Sequence, residues 1–313
     1  MYSRRSFIKR SLVATSLIAA GGKVTRVFAG DRPAMKTSQP KRVLVTWFSQ
    51  TGHTERIGKL MAHVLMSKGL EVTSGDMRTI DPSTAAEYDL IMAGSPVHYF
   101  KPSYGASDWI AKMPQIKGIP VAAWVTFGND GSNQHNAACD LLEMLEEKGG
   151  IPVAVNMFSN MNAFPPSLDG ERVLRYKHLP NEKTFQKARE YAADVLRKVQ
   201  ENRSWEIDFH FTMYEPMKIL GMSWWTKKFM MQDHHIDQET CIQCYSCMAK
   251  CPVDAINVNQ GTVNRDRCVA CMGCVNVCPT GAMTIKSFGD PVYGFREFLK
   301  RNNITIKEPK ELR

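Results

Sequence analysis

Eight of the nine cysteines lie in two copies of one spacing near the carboxyl end, and this repeat constrains the fold more than any other feature. In each copy, two intervals of two residues and one of three separate the cysteines, and a proline follows. The copies are Cys241, Cys244, Cys247, Cys251 with Pro252, and Cys268, Cys271, Cys274, Cys278 with Pro279. Ala255 and Ile256 recur as Ala282 and Met283. The repeat predicts two small units packed by pseudo-symmetry.

The spacing predicts which cysteines act together. A four-iron cluster needs thiolates from different directions, but a tight C-x2-C-x2-C loop supplies only three from one side, so the fourth comes from the other repeat. We therefore expect two 4Fe-4S clusters, one on Cys241, Cys244, Cys247 and Cys278, and one on Cys268, Cys271, Cys274 and Cys251. A zinc ribbon lacks the final Cys-Pro step, and disulfides would have to bridge gaps that are too short. Residues 232–288 resemble bacterial two-cluster ferredoxins.

The chain has 313 residues, 43% of them hydrophobic, which is enough for one full-sized core and one small domain. The small domain carries eight cysteines, so we expect cluster binding to be part of its folding. The tail, residues 289–313, carries no motif, and either packing or fraying is compatible with its sequence.

The amino terminus resembles a twin-arginine export signal. The motif is Ser3-Arg4-Arg5-Ser6-Phe7-Ile8-Lys9, and a short apolar run from Leu12 to Ala20 follows it. Val27-Phe28-Ala29 offers small residues at the two positions that a signal peptidase reads, which predicts a signal peptide over residues 1–29 with cleavage after Ala29, then a linker over residues 30–40. This predicts transport through the twin-arginine translocon to the periplasm or another exported location. A disordered basic arm and a membrane anchor are the alternative interpretations.

The net charge of +9 depends on that terminus, because residues 1–29 hold six basic residues and no acid, and the remainder carries +3. Two oxidised clusters with their thiolates would add about −2 each. The mature protein is then near neutral, and we expect no nucleic-acid partner.

Residues 41–200 predict an α/β domain. Continuous apolar runs are typical of strands buried on both faces of a parallel sheet, and helical stretches separate them. The five runs are Arg42–Phe48, Leu70–Ser74, Asp89–Gly94, Val121–Phe127 and Ile151–Phe158. A closing helix is expected over Glu182–Gln200.

The loop after the first predicted strand has the chemistry of a phosphate site, since hydroxyls and backbone N–H groups meet a helix N-terminus there. Its residues are Ser49, Gln50, Thr51, Gly52, His53 and Thr54. The loop resembles the FMN phosphate loop of flavodoxins, (S/T)-x-T-G-x-T. That resemblance implies a doubly wound parallel sheet of order 2-1-3-4-5 with the flavin outside the carboxyl ends of the strands. A flavodoxin fold that holds no flavin is the alternative.

Two further loops are expected at the flavin because they follow the third and fourth strands. Their candidate binding residues are Ser95, Pro96, Val97, His98, Tyr99, Phe127, Gly128 and Asn129. Tyr99, His98 and Phe127 are the candidates to pack on the ring, and the sequence does not choose among them.

Three other segments are interpreted more simply. Residues 159–180 form either a lid over the flavin or a loose connection. Cys139, on a predicted helix, is interpreted as core filler. Residues 201–231 predict an amphipathic connector that seals the domain seam, with a membrane surface or a partner as alternatives kept open by Trp224 and Trp225.

The two halves together resemble the fused flavodoxin/ferredoxin proteins sometimes called EFR1-type. The resemblance implies an exported electron-transfer protein with an FMN and two 4Fe-4S clusters. No nicotinamide site is evident, so the expected partner is a redox protein or a membrane-bound electron-transfer complex, with peripheral membrane contact as an option. An FMN-dependent reductase of a small substrate, and a ferredoxin docked on a flavin-free platform, are the competing hypotheses; the catalytic residues of such a reductase are unknown.

Overall fold

The computed structural model describes residues 24–25, 34–129, 134–168, 171–210, 212, 218 and 222–313. The predicted signal peptide, apart from Val24–Thr25, and its cleavage site lie outside these residues. So do residues 211, 213–217 and 219–221 of the predicted connector.

A five-stranded parallel sheet forms the centre of the larger domain. Its strands are β1 (Arg42–Trp47), β2 (Glu71–Asp76), β3 (Leu90–His98), β4 (Pro120–Gly128) and β5 (Ile151–Asn160). The spatial order is β2-β1-β3-β4-β5, and all four pairings are parallel. This is the flavodoxin-like doubly wound order, so the predicted fold class is confirmed. A two-residue strand, Lys101–Pro102, adds an antiparallel pairing to the end of β3.

Helices cover both faces of the sheet because alternate side chains of each strand point to opposite faces. The helices are α1 (His53–Ser67), α2 (Tyr104–Lys112), α3 (His135–Glu147) and α4 (Glu182–Gln200). On one face α1 and α4 pack against Val43 and Val45. On the other, α2 and α3 pack against Leu44. The bounds of α4 are those expected from the sequence, and an Asn181 capping box explains where it begins.

The smaller domain is built from two short helices and antiparallel strands. Its elements are β6 (Gln232–Ile236), α6 (Ser246–Lys250), β7 (Ile256–Asn257), β8 (Thr262–Val263), α7 (Gly273–Val277), β9 (Met283–Ser287) and β10 (Asp290–Val292). β6 and β10 flank β9, and β7 pairs with β8. A helix before these elements, α5 (Met222–Phe229), leads into β6.

The pseudo-symmetry expected from the sequence is visible in the backbone. Gln243 and Ala270, at equivalent places in the two cysteine loops, have φ of 52° and 56°. Tyr245 and Met272, just before α6 and α7, have φ of 57° and 56°. Non-glycine residues rarely adopt this left-handed conformation, so its recurrence shows that both loops have the same path.

The tail packs onto the larger domain. Its helix α8 (Phe295–Arg301) places the Phe295 ring 5.3 Å from that of His53. Beyond it, the guanidinium of Arg189 binds both carboxylate oxygens of Glu311, at 2.7 and 3.0 Å. Of the two alternatives for residues 289–313, packing is the one seen. Within the described part of the chain, no helix combines the length and apolar character needed to cross a membrane.

Candidate cofactor site between the two domains

The predicted phosphate loop joins β1 to α1 at the carboxyl edge of the sheet. Gly52 has φ +86°, a conformation that costs glycine little, and α1 begins at His53. The N–H of Ser49 donates to the Asp76 carboxylate at 3.2 Å, and the Thr54 hydroxyl bonds that of Thr126 at 2.8 Å. These bonds fix the loop so that the first turn of α1 faces the space above the sheet.

A cavity of about 300 Å³ lies above this loop, which is within the range of small-molecule sites. Eleven of the fourteen predicted flavin-binding residues line this cavity. The predicted residues that line it are Ser49, Gln50, Thr51, His53, Thr54, Pro96, Val97, His98, Tyr99, Phe127 and Gly128.

Three predicted residues do not line the cavity. The Ser95 hydroxyl is turned to Ser103, whose backbone N–H donates to it at 2.8 Å at the start of α2. The Asn129 N–H donates to the carbonyl of Asn160 at 3.0 Å. Gly52 forms the turn beneath the cavity. These residues shape the loops instead of facing the cavity.

The cavity is also lined by residues outside the fourteen predicted ones. Asn160 to Pro165, at and beyond the end of β5, form one wall, so part of the segment 159–180 lies over the site. Thr126 contributes from β4, and Gln134 from the position just before α3. The smaller domain supplies Ala270, Cys271 and Asn276. The cysteine spacing predicts that these three residues belong to a cluster domain. It does not indicate that they contact the flavodoxin-like domain.

The two histidines of the cavity are neutral over the physiological range. Burial, helped by the nearby Arg56 guanidinium, lowers the pKa of His53 to about 3. Burial also lowers the pKa of His98 to about 4. Two guanidinium groups lie at this edge. Arg56 donates to the Gly52 carbonyl at 3.3 Å and pairs with Glu308 at 2.5 Å, and Arg78 donates to the Ser49 carbonyl at 2.6 Å.

The loop fits a phosphate group. The Ser49 hydroxyl oxygen is buried and makes no hydrogen bond with the described protein atoms, so it is an open donor at the helix N-terminus. A buried polar group without a partner is costly, and an anion accepting from Ser49 and from the first N–H groups of α1 removes that cost.

The smaller domain is fastened to the rim of this cavity by direct contacts. The Tyr99 hydroxyl donates to the carbonyl of Ala270. The Asn276 amide donates to the carbonyl of Ala163 at 3.0 Å. Gly273 lies so close to the phosphate loop that a side-chain carbon added there would be 2.6 Å from Gln50 Nε2. The second cysteine loop therefore forms part of the cavity wall.

Cys251 lies with the cysteines of the second repeat. Burial is the main cause that raises the pKa of Cys274, and its neighbours Cys271, Cys268 and Cys251 raise it further. The same set surrounds Cys271, whose pKa burial raises to about 11. In the first repeat, Cys247 is close to Cys278 and Cys244. Cys251 thus lies near the second repeat and Cys278 near the first, and the ligand sets of the two clusters stay a prediction.

The chemistry of these thiols fits a cationic centre. A buried thiolate is unfavourable by itself, and coordination to iron supplies the positive charge that stabilises it. His234 adds a polar contact, because its Nε2 lies 3.5 Å from the Cys274 sulfur.

Comparison with known protein families identifies a cluster-binding domain in the smaller part of the chain. Residues 234–285 match the model of a 4Fe-4S dicluster domain. The chain is thus a fusion of a flavodoxin-like domain with a 4Fe-4S cluster domain. No curated protein matches the chain by sequence.

Solved structures similar to the fusion cover its flavodoxin-like part. An archaeal flavodoxin is 18% identical and aligns over 51% of this chain and 99% of its own, with a TM-score of 0.38. Flavodoxin 2 from Bacillus cereus is 20% identical over 50% and 99%, with a TM-score of 0.39. Rubredoxin oxygen:oxidoreductase from Desulfovibrio gigas is 14% identical over 54% and 38%, with a TM-score of 0.40. These identities and TM-scores are low, so the fold of the larger domain is established by its strand order.

Proposed function

We propose that this chain is an electron-transfer protein of the EFR1 type, in which an FMN in the interdomain cavity exchanges electrons with two 4Fe-4S clusters. The observation that carries the proposal is that Cys271 and the predicted phosphate loop line the same cavity. A flavin accepts two electrons in separate steps, whereas each cluster carries one. The cluster on Cys251, Cys268, Cys271 and Cys274 is the proximal one, and the other is distal.

The protein residues have distinct roles in this proposal. Ser49 and the first turn of α1 hold the phosphate, Tyr99 and Asn276 hold the two domains together, and the wall at Asn160–Pro165 limits the access of water. Because Tyr99 is committed to the carbonyl of Ala270, it acts as a brace between the domains in this proposal.

The distal cluster is the proposed contact with a redox partner protein or a membrane-bound electron-transfer complex. Cys244 is exposed, and so are the apolar side chains around it, Ile242, Tyr245 and Met248. Electron transfer to a partner at such a site needs close approach to the cluster, and the exposure of these short loops allows it.

Peripheral contact with a membrane is supported by an aromatic surface on the same domain. Trp224 and Phe288 are each 60% exposed, and Trp225 lies 5.7 Å from the Phe288 ring. The Lys228 ammonium lies 5.1 Å above the Trp224 ring. Aromatic rings with lysines are typical of helices that lie at a lipid–water interface. Export through the twin-arginine translocon, with cleavage after Ala29, completes the proposal, and its test is retention in the cytoplasm when Arg4 and Arg5 are both replaced by lysine.

Flash reduction tests the proposed function. In anaerobically purified protein, reduction of the flavin by a short light pulse is expected to be followed by rapid bleaching of the iron–sulfur absorption within the same molecule, at a rate independent of protein concentration. Cys251→Ser removes a proximal ligand and is expected to abolish this phase. Cys278→Ser removes only a distal ligand, and the phase is expected to survive.

Two results would overturn the proposal. Equal loss of the phase in both variants, with about four irons retained in each, would contradict the proximal assignment. Fast turnover with one small oxidant but slow exchange with protein acceptors would instead favour an FMN-dependent reductase, and protein that lacks flavin after gentle preparation from its own host would favour the docking platform.

A further inference from the structure

A second polar cluster lies outside the cofactor cavity, where α3 meets the strand segment Asp208–Phe209. Ligand atoms of His135, Asp208 and His210 all lie within 4.8 Å of one another. His135 Nε2 is 3.3 Å from one carboxylate oxygen of Asp208, and His210 Nε2 is 3.5 Å from the other. The two imidazole rings are stacked, with centroids 4.1 Å apart.

These distances are long for ionic hydrogen bonds but suit ligands around one ion. A charged N–H to carboxylate bond measures about 2.7–2.9 Å. Ligands at about 2.0–2.1 Å from a tetrahedral zinc ion are separated from each other by about 3.3–3.4 Å. The observed separations of 3.3 and 3.5 Å match the second geometry. The two ring planes differ by only 14°, so the exposed His210 ring has to rotate to direct its Nε2 at the same ion as His135.

The surroundings hold these groups in place. Asn136, which is buried, clamps the backbone of His210 in both directions: its amide donates to the His210 carbonyl at 2.6 Å, and its oxygen accepts from the His210 N–H at 2.8 Å. The buried Cys139 thiol lies 3.2 Å from His135 Nε2 and packs one helical turn after it. His135 Nε2 is also 2.9 Å from the Asp208 carbonyl, a hydrogen bond that metal coordination would replace.

We propose that His135, Asp208 and His210 bind a divalent transition-metal ion, with zinc preferred. Two imidazoles and one carboxylate are ligands that zinc uses in proteins, and His210 faces solvent, which leaves an open position for water. The ion would connect the first turn of α3 to the segment that leads into α5. This proposal is independent of the flavin and the clusters.

Metal analysis of the cluster-loaded protein tests the proposal. The protein is equilibrated with zinc chloride, freed of unbound metal by gel filtration, and examined for zinc and iron. About one zinc per chain is expected in addition to the cluster iron. The double variant His135→Ala, His210→Ala is expected to bind zinc more than about 100-fold more weakly with unchanged iron, and Asn136→Ala about 10–100-fold more weakly. The control His235→Ala changes an exposed histidine whose Nδ1 lies 3.2 Å from the Asp233 carboxylate, and it is expected to bind like the parent.

X-ray absorption at the zinc edge is measured on the parent protein, so this second test does not depend on whether the variants fold. The parent protein is expected to show imidazole scattering, with nitrogen and oxygen ligands and at most one sulfur, because the Cys139 thiol lies 3.2 Å from His135 Nε2. Two or more sulfur ligands would place the zinc on cluster cysteines and overturn the proposal. Stoichiometric zinc retained by the double variant, or no zinc bound by the parent, would also overturn it.

Discussion

The hydroxyl of Tyr99 donates a hydrogen bond to the carbonyl of Ala270, a residue 171 positions further along the chain. Tyr99 follows the third strand of the flavodoxin-like sheet, and Ala270 lies between two cysteines of the second repeat. One side chain therefore joins the flavodoxin-like domain to the 4Fe-4S domain at the wall of the cavity between them. Burial raises the pKa of Tyr99, so the phenol stays protonated and remains a donor at all working pH values.

The first prediction concerns this brace. Tyr99→Phe keeps the ring but leaves the Ala270 carbonyl without its donor, so we expect the free energy of unfolding to fall by about 1 kcal/mol. Denaturant unfolding under anaerobic conditions measures it. Tyr104→Phe, which alters an exposed tyrosine on α2, is the control and is expected to have little effect. A Tyr99→Phe protein as stable as the parent would contradict the bracing role.

The second prediction concerns the phosphate loop. Ser49 has a buried hydroxyl with no partner in the described protein, and a hydrogen bond to an anionic phosphate contributes about 1.5–3 kcal/mol. Ser49→Ala is therefore expected to weaken FMN binding roughly 10- to 100-fold in a fluorescence titration. Ser67→Ala, at the exposed end of α1, serves as the matched control. Equal affinities in all three proteins would exclude Ser49 as a phosphate ligand.

The third prediction concerns pH. Because the pKa of His53 is lowered to about 3, the folded protein does not take up the proton that the unfolded chain binds near pH 6.5. Stability attributable to His53 is therefore complete above pH 6.5 and falls as the pH drops below it. Between pH 7 and pH 5.5 the loss is about 1 kcal/mol.

His53→Gln is expected to remove this part of the pH dependence, as measured by denaturant midpoints at the two pH values. The control His63→Gln changes an exposed histidine on the same helix, and it is expected to keep the pH dependence of the parent. If the parent and His53→Gln show the same pH dependence, His53 titrates normally in the folded protein.

The fourth prediction concerns the proximal cluster. His234 is buried, with Nε2 3.5 Å from the Cys274 sulfur, and hydrogen bonds to cluster sulfurs favour the reduced, more negative state. Loss of one bond worth about 1.4 kcal/mol corresponds to about 60 mV for one electron. His234→Phe is expected to lower the potential of one cluster by this order in a redox titration followed by spin resonance. His235→Phe, whose side chain is exposed, is the control; a shift of both clusters, or of neither, would contradict the assignment.

The sequence predicted the fold well because local patterns determine it. Buried parallel strands require long apolar runs, and α4 begins and ends where its capping residue and apolar spacing indicate. The cysteine repeat predicted the 4Fe-4S domain because few other sites use that spacing.

The arrangement of the domains was beyond sequence patterns because it depends on contacts between distant residues. Nothing near Tyr99 indicates its acceptor at Ala270, and nothing in the tail marks Glu311 as the partner of Arg189. Ser95 was expected at the flavin because it follows the third strand, but its hydroxyl instead bonds Ser103. The His135, Asp208 and His210 group is also invisible in the sequence, since two of its members lie more than 70 residues from the third.

The central claim is that one chain holds a flavin and two iron–sulfur clusters. Its most direct test is the measurement of iron, acid-labile sulfide and FMN in protein prepared without oxygen. The account predicts about eight irons, about eight sulfides and about one FMN per chain. Zinc or cystine at the eight cysteines in place of iron and sulfide, or intact clusters with no flavin, would contradict it.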